Sequence, residues 1–165
     1  MQISETTRLI TAARSAIDTL TPLNHDCGLH CGHACCKDGE DGLIVGMELY
    51  PGEEALYPGA SWYKIYHRKS RTILVCNGSC RRESRPLACR VFPLTPYAEN
   101  GKPTAVMDKR AAPLCPLYAS GKKGLSSAFA KAVANIAELL WQDERIRAYI
   151  QSVSKDIDRL SRLTL

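Results

Sequence analysis

The feature of this chain that points to chemistry is its eight cysteines, which come in two groups. The first is Cys27-x-x-x-Cys31-x-x-x-Cys35-Cys36, and the second is Cys76-x-x-x-Cys80, followed by Cys89 and Cys115. Thiolates this dense suit a metal. Zinc takes four soft or borderline ligands in a tetrahedron, and an iron–sulfur cubane takes one thiolate per iron. Gly28, Gly32 and Gly78 let the backbone turn so that neighbouring thiolates converge. Cys115-Pro116 is the Cys-Pro pair that also closes ferredoxin motifs. Eight thiolates make two four-cysteine sites, one cluster with spare thiols, or a mixed arrangement, and the spacing does not choose. Disulfides explain the pattern poorly, because four cysteines within ten residues, two of them adjacent, leave little freedom for bridge geometry. Inert buried thiols would sit at apolar positions rather than among Gly, His and Asp.

The charges around the cysteines fit either metal. Residues 1–60 carry net −6, residues 61–125 net +10 and residues 126–165 net +1, so the middle of the chain is basic. Arg81, Arg82, Arg85 and Arg90 stand near Cys80 and Cys89, where they offset the negative charge of a thiolate site. With Lys64, Arg68, Lys69, Arg71 and the aromatics Trp62, Tyr63 and Tyr66, the same arginines also suit a nucleic-acid surface. A solvated charged face is the commoner outcome of such a run. His25, His30 and His33 lie inside the first group and are able to replace a thiolate, although eight cysteines already suffice. Asp26, Asp38, Glu40 and Asp41 read as solvent-facing, and Glu48, Glu53 and Glu54 form no evident acid–base pair.

The elements that must position these residues are modest. With 165 residues, 45% of them hydrophobic, the chain fits a single α+β domain with a real core and not a disordered one. A helical region at 1–22 presents Leu9, Ile10, Ala13, Ile17 and Leu20 on one face and stops at Thr21-Pro22. A metal-bound, cysteine-rich region follows at 23–120, with a loop over Asn24–Gly42, a short strand over Leu43–Tyr50 and a helical turn at Glu53–Leu56. Trp62–Tyr66 and Thr72–Cys76 suit a β-hairpin, with His67 in its turn. Val91–Tyr97 and Thr104–Asp108 suit another, closed by Asn100-Gly101, with Pro93 and Pro96 marking the first strand as an edge. Helices fill 125–165, one striped by Phe129, Val133, Ile136, Leu140 and Trp141. The other is striped by Ile146, Tyr149, Ile150, Val153, Ile157 and Leu160, with Asp143 as a cap between them. No run reaches the length of a membrane helix, and the opening residues do not read as a signal peptide. The expected compartment is therefore a reducing cytoplasm, where clustered cysteines bind metal or do redox chemistry.

The box Arg85-Pro86-Leu87-Ala88-Cys89-Arg90-Val91-Phe92-Pro93, set after a run ending in Cys35-Cys36, resembles the bacterial YkgJ-like cysteine-cluster family. That family is described as a zinc- or iron-chelating domain. Its arginine–proline–cysteine box is present here in full. Its C-x-x-C-x-x-C-C run is altered, with three residues in each gap instead of two. The likeness extends over about residues 27–116, and Pro51-Gly52-Glu53-Glu54 also looks like members of the family. It implies metal ligation by Cys27, Cys31, Cys35, Cys36, Cys76, Cys80, Cys89 and Cys115, with an iron–sulfur cluster (4Fe-4S) or zinc as cofactor. In the box, Pro86 holds Arg85 extended, Cys89 is offered from a turn, and Phe92 and Pro93 shield the metal. Arg85 and Arg90 either face the cofactor or form buried ion pairs, with Glu48 or Glu54 as partners.

Three functions follow. The first is a metal-binding protein without catalysis of its own, its metal stabilising a middle region with a thin core. The second is an iron–sulfur redox or protein-lysine methyl-transfer enzyme or subunit, by analogy with a related domain in flagellin lysine methylases. Cys27-x-x-x-Cys31 resembles the opening of a radical-SAM triad, but Cys35 falls one residue late and a barrel does not fit the length. The third is a zinc-stapled module for a protein or nucleic acid.

Overall fold

The computed structural model describes residues 4–36, 46–78 and 80–163. The expected carboxylates Asp38, Glu40 and Asp41, and the opening Leu43–Val45 of the expected strand, lie outside them.

Helix α1 (Glu5–Ala16) begins where Ser4 accepts a hydrogen bond from the Thr7 amide, satisfying one of the free donors of the first turn. It buries Ile10 and Ala13 completely, and Ile17 just beyond it. The helix ends before Ile17, short of the stop expected at Pro22, because the Ile17, Asp18 and Leu20 amides turn back on carbonyls three residues earlier. Helix α2 (Cys27–Cys31) is one turn and ends at Gly32.

Two antiparallel sheets follow. Strands β1 (Met47–Leu49), β2 (Tyr63–Arg68) and β3 (Arg71–Cys76) form a sheet in the order β1-β3-β2, with Leu49 opposite Thr72 and Tyr63 opposite Cys76. His67 is a strand residue facing Thr72, and the expected turn lies beyond it at Lys69 and Ser70. Strands β4 (Leu94–Glu99) and β5 (Lys102–Met107) make the second sheet. Its turn is Asn100-Gly101, both at positive φ, as a tight hairpin requires. Pro96 is tolerated there because a two-stranded sheet has only edges. Between the sheets, Leu87–Val91 forms the short helix α3, so Val91 is helical where a strand is expected.

Ser126 caps helix α4 (Ser127–Leu140), and Asp143 caps helix α5 (Glu144–Leu163), with its Oδ1 accepting the Ile146 amide at 3.0 Å. The main core joins α1, α3, both strands of the second sheet, and α4 and α5 through Ile10, Leu87, Leu94, Phe129, Ile136 and Ile150. Removing a dozen such side chains from water, each about 1.5–3 kcal/mol, holds the fold. A smaller cluster of Leu49, Tyr57 and Leu74, with Trp62 and Tyr63, lies under the first sheet. The cysteine region is therefore less thinly supported than expected, since Leu87 and Val91 on either side of Cys89 belong to the main core. Leu160, expected on the buried stripe, is 38% exposed.

Candidate metal centre

Each cysteine is placed by a short local element. Cys27 and Cys31 stand four residues apart on α2, which puts them on one face. Asp26 is spent on starting that helix, accepting the Gly28 amide at 2.9 Å. Gly32 and His33, at φ 61° and 58°, reverse the chain into a turn at Ala34–Cys36 that carries Cys35 and Cys36. Cys76 ends β3. Gly78, at φ 79°, then brings the chain so close to Cys36 that a Cβ would lie 2.8 Å from the Cys36 carbonyl oxygen. Cys80 follows. Cys89 sits on α3, a helix where a turn is expected, and Cys115 stands where its amide returns to the Ala111 carbonyl at 2.8 Å.

All eight thiols are free and half-buried, and they surround two adjoining cavities. The larger, of about 260 Å³, is lined by Cys35, Cys36, Cys76, Cys80 and Cys89. The smaller, of about 50 Å³, is lined by Cys27, Cys31, Cys35, Cys89 and Cys115. The Cys35 and Cys36 sulfurs are 3.9 Å apart. Among the described residues, no three Cys, His, Asp or Glu side chains stand close enough to hold a metal ion as they are placed. Four sulfurs at 2.3 Å from a zinc ion are about 3.8 Å from one another. A cluster with one thiolate per iron spreads its thiolates around a larger body. His25, His30 and His33 are exposed.

Arg85 joins the two cavities, lining both. Pro86 keeps it extended, at φ −65° and ψ 137°. Its Nε is buried with no acceptor among the described residues. Burial works against its charge, but a hydrogen bond with Cys80 and the charge of that thiolate more than offset this, and its pKa rises. Burial pushes the Cys89 and Cys27 thiols up. Cys36 moves the other way, its thiolate favoured by the hydrogen bond from Cys35 and by Arg85 and His33 nearby. A buried donor without an acceptor, facing thiols, fits an anionic thiolate–metal group.

Arg90 has a different task. Its side chain is 4% exposed and pairs with Asp18 at 2.6 Å, not with Glu48 or Glu54. It also donates to the carbonyls of Arg14, Glu83 and, at 2.9 Å, Arg85. Arg90 thus fixes the backbone of the residue that reaches the cavities. Glu48 instead pairs with Arg71 at 2.8 Å and accepts from the Tyr149 hydroxyl at 3.0 Å. Sequence reasoning missed Glu53. This fully buried residue accepts the Tyr50 amide at 3.1 Å and the Leu87 amide at 2.7 Å, tying the start of α3 to the first sheet. The only sequence signal for it is the Pro51-Gly52-Glu53-Glu54 run, which does not say which glutamate turns inward.

The basic surface is partly committed to the fold. Arg71 pairs with Glu48 and Asp156, and Arg82 donates to the Ile17, Asp18 and Leu20 carbonyls. Trp62 and Tyr63 pack edge-on at 4.7 Å, leaving Tyr66 exposed between Lys64 and Arg68 on β2. Among the described residues, no helix is long and apolar enough to cross a membrane. No family model, curated protein or solved structure matches the chain.

Proposed function

We propose that this chain is a metal-binding protein whose cysteines ligate an iron–sulfur cluster or zinc, with the iron–sulfur cluster preferred. One observation carries the reading. Eight thiols from separate stretches of chain line two adjoining cavities, and between them lies a buried arginine Nε that lacks an acceptor among the described residues. The size of the larger cavity favours a polynuclear cluster, because a structural zinc site closes its four sulfurs directly on one ion. The likeness of the arginine–proline–cysteine box to the YkgJ-like family supports metal binding, by iron or zinc alike.

The chain's own residues would act as follows. The thiols lose their protons and ligate, and that loss is pH-dependent, the more so at Cys89 and Cys27, whose pKa values burial raises. Arg85 donates from Nε and offsets the negative charge. Trp62 and Phe92, which line the larger cavity, limit water at the centre. An iron–sulfur cluster would supply electron storage and transfer, and zinc would supply only a structural tie. A reducing cytoplasm is the compartment this reading implies.

The test is metal content and thiol protection in protein purified without air. Bound metal, with the cysteines slow to alkylate until a chelator is added, supports the proposal. Equally rapid alkylation of all eight cysteines in metal-replete protein would falsify it.

A further inference from the structure

We propose that the β2–β3 hairpin is a docking surface for single-stranded RNA. Tyr66 stacks on an unpaired base, and Lys64, Arg68 and Lys69 hold the phosphates around it. None of these four residues lines either cavity, so the surface is independent of the metal reading above.

Alternation along β2 makes the surface. Residues two apart on a strand share a face and stand about 6.7 Å apart. Lys64, Tyr66 and Arg68 therefore form a row of cation, ring and cation, and all three are exposed. The opposite face turns Tyr63 and Ile65 onto the small core of Leu49, Tyr57 and Leu74, which fixes the direction of the row. Across the ladder the row meets Val75, Ile73 and Arg71. Ile73 in turn lies opposite Glu48 of β1, whose carboxylate is already engaged by Arg71 and the Tyr149 hydroxyl. Lys64, Arg68 and Lys69 form no ion pair among the described residues.

Two features of the hairpin tip call for an anion. The register sets Arg68 directly opposite Arg71, a like-charge pair that costs stability. Arg71 has Glu48 and Asp156 as partners, and Arg68 has neither. The two-residue turn beyond this pair holds Lys69 at φ 52°, in a position that tight hairpins give to Gly, Asn or Asp. Cations on an edge strand also deter strand pairing, but that task needs neither an exposed ring among them nor a like-charge pair.

Ring and charge together match a nucleic-acid strand, in which cations follow the backbone and an aromatic face takes an unpaired base. A lipid surface is the poorer match. Leu29 and Leu160, the other large exposed hydrophobics among the described residues, lie on α2 and α5 and give the hairpin no apolar patch. The open edge of the sheet favours RNA over DNA. Among the described residues β2 pairs only with β3, so the amides and carbonyls along its outer side can meet a 2′-hydroxyl, which both donates and accepts.

The full-length protein, purified without air, is titrated against a fluorescein-labelled single-stranded RNA of about twelve nucleotides, with binding read by anisotropy. Affinity falls roughly 20-fold between about 50 and 200 mM salt, as three phosphate contacts require. Tyr66→Ala weakens binding about tenfold at every salt concentration, and Tyr66→Phe restores it. Lys64→Gln/Arg68→Gln/Lys69→Gln flattens the salt dependence. That charge variant, whose side chains have no ion-pair partners in the fold, decides alone should Tyr66→Ala lose its circular dichroism. No binding of RNA, binding that neither variant changes, or equal binding of single-stranded DNA or of a duplex overturns the proposal. Retention on phosphatidylserine vesicles in place of RNA assigns the patch to a membrane and overturns it too.

Discussion

Replacing Glu53 tests how the fold holds Cys89 in place. The Glu53 carboxyl group is fully buried and accepts two amides, Tyr50 beside β1 and Leu87 at the first residue of α3. Glu53→Ala leaves both amides without an acceptor, and each buried unsatisfied donor costs about 1–3 kcal/mol. With partial relaxation, the expected loss is about 3 kcal/mol. Glu53→Gln keeps one acceptor and turns an NH₂ group toward the other amide, for a loss of about 1–2 kcal/mol. Burial also raises the Glu53 pKa above its ordinary value of 4.5, outweighing the two amide bonds that lower it. The folded chain therefore holds this proton more tightly than the unfolded chain does. The contribution is complete below pH 4.5 and is lost as pH rises through the raised folded value. Glu53→Gln lacks this slope, so the stability gap between it and the wild type narrows as pH rises. Urea unfolding at several pH values reads all three effects. A Glu53→Ala loss under about 0.5 kcal/mol, the range of an ordinary surface substitution, refutes the reasoning.

Other sites give equally direct outcomes. Arg90→Lys loses the fork that serves Asp18 and three carbonyls, and thermal unfolding should show a loss of about 2–4 kcal/mol. Gly78→Ala, at φ 79° and 2.8 Å from the Cys36 carbonyl, should cost at least about 1 kcal/mol and reduce metal loading, read by metal analysis. Asp143→Ala removes the α5 cap and the acceptor of the Thr6 hydroxyl, costing about 1 kcal/mol. Burial tends to raise the Asp143 pKa, but its hydrogen bonds, that from Thr6 foremost, hold it below its ordinary value. The stabilisation is thus present above that value and lost as pH falls through the lowered one, and acid unfolding of the wild type and variant should converge.

Much of the architecture was legible in local pattern. The stripes Phe129–Leu140 and Ile146–Ile157 become buried helix faces, and Asn100-Gly101 closes the second hairpin where its backbone preference puts it. What local pattern does not carry is contact across the chain. The Leu87 amide that starts α3 is satisfied by Glu53, 34 residues earlier, which makes Val91 helical despite its β-branched side chain. Arg90 finds Asp18 across 72 residues, so the expected pairing with Glu48 or Glu54 gives way to a partner on the α1 side. The cysteines are visible as a group in the sequence, but which of them line each cavity depends on where α2, β3 and α3 meet, and no spacing rule records that.

Iron, zinc and acid-labile sulfide per chain, measured on protein purified without air, test the central claim most directly. Iron with matching sulfide is the expected result, with alkylation of the cysteines suppressed until the metal is removed. Protein that carries neither iron nor zinc after anaerobic purification and reconstitution, and whose thiols react freely, contradicts the account.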